Sequence, residues 1–290
     1  MGSCCDGPVT DECPEEAKRV ARRFGCRKND VSEGDEERYT MTGLLRRARG
    51  FVRRVTPNRI KGILDYYRRS NGAEFSAGPF NRQQFRQRIF KEILGRCRFA
   101  MILETGTYRG TTTEYMQRES RLNVHSVESD PRNYGFCRAR FLWNRRIHVR
   151  LGDSRSFLRA FCDGARGENG PTFIYLDAHW GEDLPLCDEC EIIFRSGMQA
   201  IIMIDDFEVP GDPGYGFDAY GEGKALCLAY LKPLEKYRYS VFFPRCPSGE
   251  ETGAKRGCAV IATTPELSQI LSGMDSLTEH RAAAPGRTPN

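Results

Sequence analysis

Five short apolar segments that each end in an acidic residue constrain the fold of this 290-residue chain more than any other feature. They alternate with segments whose apolar residues recur at helical spacing. This alternation predicts a parallel sheet with helices on both faces. In such sheets, ligands bind beyond the carboxyl ends of the strands. The acidic residues at these ends are therefore the first candidates for a binding site: Glu104, Glu128, Asp153, Asp177 and Asp205.

The end of the chain departs from this alternation. Residues 237–243 and 258–263 are strand-like and have only a loop between them, which predicts an antiparallel hairpin. We therefore predict an α/β domain over residues 76–265, with a mostly parallel seven-stranded sheet that ends in this hairpin. The polar stretch 266–290, which ends in Ala-Ala-Ala-Pro-Gly-Arg-Thr-Pro-Asn, predicts a frayed tail.

The N-terminal part differs in charge. Residues 1–40 are polar and acidic, and we predict that they are disordered. Residues 41–75 predict a basic helical appendage, in which apolar residues from Leu44 to Val55 recur at helical spacing between arginines. We favour docking of that helix on the catalytic domain or on a second subunit. Contact of residues 44–55 with an anionic membrane surface is the alternative, and we expect no nucleic-acid binding.

Composition excludes several classes of protein. The longest apolar runs have about five residues, whereas a helix that spans a bilayer needs about 20. The first residues contain no apolar stretch typical of a secretory signal, so we expect a cytoplasmic protein. Of the twelve cysteines, Cys187 and Cys190 form a CxxC pair, but there is no second pair to complete a zinc site. We expect reduced thiols.

A glycine loop follows the first strand and reads Glu104-Thr-Gly106-Thr-Tyr108-Arg-Gly110-Thr111. Its glycines let a ligand approach the backbone, and the next helix offers free N–H groups at its start. The spacing is not the GxGxxG that binds a dinucleotide pyrophosphate. A glycine loop preceded by a carboxylate suits a cofactor that carries a cationic amine and no phosphate, although a purely structural turn would look similar.

The second and third strand ends predict the rest of a nucleoside site. Glu128 could hold a ribose diol through two hydrogen bonds. Asp153 could accept the amino group of an adenine, with Ser154 beside it. Together with the glycine loop, these positions predict a cofactor site along three neighbouring strands.

The fourth and fifth strand ends predict a metal site. Asp177, Asp205 and Asp206 lie at strand ends about 5 Å apart, and three carboxylates suit a hard divalent cation such as Mg²⁺. Capping of the following segment by an aspartate is the alternative interpretation. His179 is a candidate general base beside Asp177, a second metal ligand, or a histidine that is simply hydrogen-bonded in its loop.

A long segment rich in glycine and aromatic residues, 210–221, follows the fifth strand and predicts a lid over the site. Its length exceeds what a simple connection needs. Four aromatic residues in or near the loops over the site suit a sugar or ring, or simply pack on the domain: Trp180, Tyr215, Phe217 and Tyr220.

These motifs resemble the class I S-adenosylmethionine-dependent methyltransferases, and the element order agrees. More narrowly, the glycine loop, Tyr175-Leu-Asp-Ala-His-Trp180 and Ile204-Asp-Asp-Phe207 resemble a bacterial group near the metal-dependent sugar O-methyltransferases and the cephalosporin hydroxylase-like proteins. The resemblance implies that Glu104 and Gly106 contact the methionine part of the cofactor, Glu128 the ribose, and Asp153 and Ser154 the adenine. Tyr108 departs from the usual glycine loop.

The expected function is methyl transfer from S-adenosylmethionine to an oxygen of a small molecule, a sugar or secondary metabolite, with help from Mg²⁺. Catalysis would involve Asp177 and His179, and the cofactor would contact residues of the three motifs: Glu104, Gly106, Tyr108, Gly110, Thr111, Glu128, Asp153, Ser154 and Asp177. Two alternatives stay open, a non-catalytic cofactor-binding or regulatory protein and a nicotinamide-dependent oxidoreductase. The protein could form a homo-oligomer under any of these functions.

Overall fold

The computed structural model describes residues 56–69, 78–164, 170–179 and 183–280. The predictions for residues 1–55, for Trp180 and for the last ten residues lie outside these ranges. No helix in the described ranges combines the length and the apolar character that a membrane span requires. The eight cysteines within them are all free, including Cys187 and Cys190.

The elements alternate between helix and strand as the sequence predicts. The helices are α1 (Asn58–Arg69), α2 (Gln84–Arg96), α3 (Thr111–Ser120), α4 (Pro131–Arg140), α5 (Ser154–Gly164), α6 (Leu186–Ser196) and α7 (Pro265–Ser272). The strands are β1 (Met101–Thr105), β2 (Val124–Glu128), β3 (Ile147–Leu151), β4 (Thr172–Leu176), β5 (Ala200–Ile204), β6 (Ser240–Pro244), β7 (Ala259–Ala262) and β8 (Leu277–Glu279).

All eight strands form one sheet in the order β3-β2-β1-β4-β5-β7-β6-β8. The first five strands pair in parallel, whereas β5 with β7, β7 with β6 and β6 with β8 are antiparallel. The predicted α/β architecture and its terminal hairpin are therefore confirmed. Because β1 to β5 are parallel, their carboxyl ends meet at one edge, which we call the carboxyl edge.

The C-terminal prediction is wrong in part. Residues predicted as a frayed tail form α7 and the eighth strand β8. The hydroxyl of Thr264 caps α7 by accepting the Leu267 N–H, and Leu267 and Leu271 are buried. This capped amphipathic turn supplies the apolar contact that the polar composition of the segment conceals.

The apolar spacing of residues 224–234 predicts a helix, but the helical segment there is shorter. The structure has a 3-10 helix from Leu228 to Leu234. Pro233 lies inside it and has no N–H to donate, which prevents a regular helical ladder there.

The core consists of two apolar layers, one on each face of the sheet. Alternate strand residues serve opposite layers: Phe173 and Tyr175 contribute to one, and Ile174 and Leu176 to the other. This alternation extends to the residues that follow the strands and decides which way the site residues point.

Helix α1 packs closely on α4, so this part of the predicted appendage belongs to the domain. A Cβ at Gly62 would lie 1.8 Å from the Arg132 carbonyl oxygen, and one at Gly135 would lie 1.9 Å from the Arg59 carbonyl oxygen. The rings of Tyr66 and Phe136 meet edge to face beside this contact.

We expect Gly62→Ala to lower the free energy of unfolding by about 2–3 kcal/mol, because the added methyl group must push two helix backbones apart. Urea unfolding measures the change. Gly95→Ala is the matched control, since a Cβ at that helical glycine meets nothing within 4 Å. It should be neutral or stabilise the domain by up to about 1 kcal/mol. Equal effects of the two substitutions would contradict the close helix contact.

A second prediction concerns acid sensitivity. His125 stacks on His148 with ring centroids 4.7 Å apart, and its Nδ1 has no hydrogen-bond partner. Burial, with the nearby charges of His148 and Arg150, lowers the pKa of His125 from 6.5 to about 4. Between pH 4 and pH 6.5, His125 is protonated in the unfolded chain and neutral in the folded chain. The free energy of unfolding therefore decreases as the pH falls from about 6.5 towards about 4.

Urea unfolding at pH 7 and pH 5 should therefore show a loss of about 1–2 kcal/mol that His125→Phe largely removes. The phenyl ring keeps the tilted ring contact with Phe161 but cannot take up a proton. A variant with the same acid sensitivity as the parent would show that another group titrates.

Candidate functional site

Glu104 ends β1 at the carboxyl edge and is 1% exposed. Its Oε2 accepts hydrogen bonds of 2.6 Å from the hydroxyls of Thr113 and Ser126. Burial, with a smaller effect from the charge of Glu128, raises the pKa of Glu104 to about 7. A cationic group beside this carboxylate would relieve that penalty, which is what an ammonium-bearing ligand supplies.

The glycine loop lies directly above β4. Gly106 has a φ of 86°, and a Cβ there would come within 2.1 Å of the Asp177 carbonyl oxygen. Gly110 has a φ of 75° and precedes α3, whose first residue is Thr111. A Cβ at Gly110 would press on the Phe141 ring at 2.5 Å. Both glycines are therefore required by this close approach.

Tyr108 joins the glycine loop to the end of β2. Its N–H donates to Glu128 Oε2 at 2.6 Å, and its side chain is 51% exposed. The Asp130 N–H donates to the other oxygen of Glu128 at 2.8 Å. Each carboxylate oxygen keeps a lone pair for a ligand hydroxyl, and burial raises the pKa of Glu128. The unexpected tyrosine therefore holds Glu128 in place through its backbone.

Asp153 and Ser154 lie at the end of β3. Asp153 Oδ1 accepts the Ser156 N–H at 3.0 Å and so caps α5, while Oδ2 lies 3.2 Å from Arg155 Nη1. Ser154 is buried, whereas the Asp153 side chain is about half exposed. The structure thus places both predicted adenine contacts at the carboxyl edge, and capping already engages part of the Asp153 carboxylate.

Asp177, His179 and Asp206 converge at the ends of β4 and β5. Their ligand atoms all lie within 4.8 Å of one another. His179 Nε2 is 3.8 Å from Asp177 Oδ1 and 3.9 Å from Asp206 Oδ2. The His179 side chain is 4% exposed, and its Nε2 has no hydrogen-bond partner. A buried nitrogen aimed between two carboxylates at these distances suits a cation bound between them.

The same residues have altered acid–base properties. Burial raises the pKa of Asp177 well above its ordinary value, and the negative charges of Asp206 and Glu104 raise it further. Burial lowers the pKa of His179. The neutral imidazole is the form that ligates metal, and a cation would relieve the repulsion between the carboxylates.

Asp205 does not join this cluster. It is 2% exposed, forms an ion pair with Arg86, and accepts the Tyr175 hydroxyl at 2.6 Å on Oδ2. Asp205 follows Ile201 and Met203 on the face of the sheet to which Tyr175 contributes. The alternation of β5 therefore turns Asp205 towards α2 and leaves Asp206 at the edge. His179 takes the third place that the sequence prediction gave to Asp205.

The segment predicted as a lid contacts the cluster directly. Tyr220 Oη lies 2.7 Å from the His179 carbonyl oxygen and also contacts the Asp218 carboxylate. The Asp218 N–H donates to the Asp206 carbonyl oxygen at 3.0 Å. Phe217 is 38% exposed, whereas Tyr215 is buried with its hydroxyl bonded to the Cys246 carbonyl oxygen.

Arg256, from the connection between β6 and β7, links the lid to the cluster. Its Nε donates to Asp206 Oδ1 at 2.7 Å, and another of its nitrogens pairs with Asp218. Sequence reasoning missed Arg86 and Arg256, because they lie far along the chain from Asp205 and Asp206, with which they pair. It also missed Asp218, which lies in the predicted lid together with Asp212, so the pattern of the lid did not single it out.

No protein-family model and no curated protein matches the chain. Among solved structures, it is similar to the O-methyltransferase from Bacillus cereus in complex with SAH, at 18% identity over 74% of this chain and 96% of that one, with a TM-score of 0.45. It is also similar to Aeropyrum pernix fibrillarin with bound S-adenosyl-L-methionine, at 17% identity over 58% and 67%, with a TM-score of 0.37.

A third similar structure, described as cmcI-D160 Mg-SAM, is 15% identical over 43% of this chain and 53% of that one, with a TM-score of 0.35. All three TM-scores lie below 0.5, so the strand order, with its parallel β1 to β5 and inserted antiparallel β7, decides the fold. The chain has the class I methyltransferase fold. Its carboxyl edge carries the glycine loop, Glu128 and the cluster of Asp177, His179 and Asp206 side by side.

Proposed function

We propose that this protein transfers a methyl group from S-adenosylmethionine to an oxygen of a small molecule, with a divalent cation held by Asp177, His179 and Asp206. The observation that carries the proposal is the contact between the two halves of the site. Gly106 of the cofactor loop packs against the backbone of Asp177, which contributes a carboxylate to the cluster. A methyl donor and an activated oxygen would therefore meet at this point.

The cofactor half supplies complementary groups along β1, β2 and β3. Glu104 offers a buried negative charge for the ammonium group of the methionine part. Glu128 offers an anchored carboxylate for the ribose hydroxyls, and the exposed ring of Tyr108 provides a face beside it. Asp153 and Ser154 would contact the adenine. The orientation of the cofactor would follow from this order of groups along the edge.

The metal half fits a cation with both oxygen and nitrogen ligands. Three carboxylates would favour Mg²⁺, but the imidazole of His179 suits Mn²⁺ or Fe²⁺ better. When bound, a divalent cation lowers the pKa of a coordinated hydroxyl and fixes its oxygen. The position of His179 Nε2 between two carboxylates favours a ligand role over that of a free general base.

The lid residues would shape the acceptor site. Asp218 and Arg256 adjoin Asp206, and Tyr220 restrains the His179 backbone. Half-exposed aromatic residues such as Phe217 suit a sugar ring or another small ring. We therefore propose a small hydroxylated molecule as the acceptor. A cytoplasmic location and a homo-oligomeric state remain predictions.

Calorimetric titration with S-adenosylhomocysteine, with and without Mn²⁺ or Mg²⁺, tests the proposal first. We expect micromolar binding that Glu128→Gln weakens by about tenfold, which corresponds to about 1.4 kcal/mol for a lost charge-assisted hydrogen bond. Glu114→Gln is a matched control on the exposed side of α3, where Glu114 pairs with Arg140. Absence of binding under all three conditions would refute the cofactor assignment, and nicotinamide nucleotides would be the next ligands.

A further inference from the structure

The turn between α4 and β3 displays two large apolar side chains on the surface. Trp143 is 90% exposed and Leu142 is 54% exposed. Burial of a tryptophan side chain would contribute a large favourable hydrophobic free energy, which the exposed ring lacks. A side chain that keeps nine-tenths of its surface open lies on a convex tip, so it lines no groove that a peptide or a small ligand could fill.

Four exposed arginines surround this tip: Arg121, Arg138, Arg145 and Arg146. Arg146 donates to the carbonyl oxygen of Arg121, which links the end of α3 to the turn. In the part of the chain that the structure describes, none of these four guanidinium groups forms an ion pair with a carboxylate. Among the described residues, the tip therefore combines an apolar centre with a positive rim.

The tip lies away from the candidate site. Helices α3 and α4 begin at the carboxyl edge and run back beside the parallel strands, so their last residues reach the edge where the strands begin. Trp143 and Leu142 follow the end of α4, whereas Asp177 and Asp206 lie at the carboxyl edge. A partner bound at the tip would leave the candidate site open to solvent.

We propose that this tip docks on a membrane surface that contains anionic lipids. Trp143 and Leu142 would enter the interfacial region, where indole rings are favoured, and the arginines would contact lipid phosphates. Charge complementarity and the convex shape favour this occupant. Binding of single-stranded nucleic acid is less consistent with the tip, since such sites use a groove with several stacking aromatic rings.

Sedimentation of the full chain with lipid vesicles tests the proposal. We expect binding to phosphatidylcholine vesicles that contain one-third phosphatidylglycerol, weak binding to pure phosphatidylcholine, and a decrease at high salt. Trp143→Ala should weaken binding by at least about tenfold. The pair Arg145→Gln and Arg146→Gln should weaken it by about 25-fold, at about fivefold for each charge.

Matched controls separate the tip from general surface effects. Tyr67→Ala removes another aromatic side chain that is 55% exposed, and the pair Arg159→Gln and Arg195→Gln removes two exposed arginines elsewhere. Both controls should bind like the parent chain. In a Trp180→Phe background, Trp143 is the remaining tryptophan, and its emission should shift to shorter wavelength on anionic vesicles.

Three outcomes would overturn the proposal. One is equal binding of the parent chain and Trp143→Ala to anionic vesicles, and absence of any vesicle binding is another. The third is a complex of a different kind, such as a dimer in light scattering that Trp143→Ala dissociates, or single-stranded RNA bound in place of vesicles. Circular dichroism of each variant shows whether a lost interaction reflects unfolding. None of these measurements depends on methyl transfer.

Discussion

Replacing Asp206 with glycine is expected to weaken Mn²⁺ binding by at least about 100-fold and to lower methyl transfer by about 10³-fold. Asp206 supplies one of the two carboxylates that face His179 Nε2, so its loss leaves that nitrogen with a single acidic neighbour. Glycine is the appropriate replacement because Asp206 has a φ of 51°, a conformation that alanine adopts only with strain. Glycine therefore removes the carboxylate, with its contact to Arg256, and adds no backbone strain.

Calorimetry or electron paramagnetic resonance of Mn²⁺ measures this affinity without turnover. Titration with S-adenosylhomocysteine should give nearly the parent affinity, because Asp206 lies outside the groups that we assign to the cofactor. Asp205→Asn is the matched comparison one residue earlier, and it should leave Mn²⁺ affinity within about threefold because that carboxylate faces Arg86. If Asp205→Asn abolished Mn²⁺ binding as fully as Asp206→Gly, the ligand set expected from the sequence would be right and the geometric one, which leaves Asp205 out, would be wrong.

The contrast between Asp205 and Asp206 shows which features of the site can be predicted from the sequence. Strand ends and the glycine loop follow from local pattern, since apolar runs and glycine spacing are fixed over a few residues. The direction of Asp205 also follows a local rule, the alternation of side chains along β5, once the face occupied by Ile201 and Met203 is known. That face is set by packing against α2 and Tyr175, which the sequence does not display.

The ion-pair partners of the aspartates at the end of β5 could not be predicted from the sequence, because they come from distant segments. Arg86 lies in α2, before the first strand, and Arg256 follows the sixth strand, yet each pairs with one aspartate at the end of β5. No periodicity links such residues, because only the closed sheet brings them together. The capped helix α7 illustrates the converse case, in which the local signal of Thr264 was present and the polar composition around it obscured it.

The second large effect concerns stability. Arg86→Met is expected to lower the free energy of unfolding by about 3–5 kcal/mol, because it leaves the carboxylate of Asp205 buried without its cation. Arg86 is 1% exposed, and it also donates to the carbonyl oxygen of Gly257 at 2.8 Å. Its own backbone N–H donates to Glu251 at 3.2 Å, so the residue ties α2 to the connection between β6 and β7. A domain of ordinary stability would lose a large fraction of its margin.

A double-mutant cycle with Asp205→Asn distinguishes the ion pair from simple packing. Asparagine still offers an oxygen to the Tyr175 hydroxyl but carries no charge, so the double variant should be more stable than Arg86→Met alone by at least about 1 kcal/mol. Urea unfolding of the four proteins gives the coupling energy directly. Additive losses would mean that Arg86 acts through volume and its carbonyl contacts, and Asp205 would then need another reason to point away from the metal cluster. A positive coupling would show that the charges of the buried pair stabilise the contact between α2 and the end of β5.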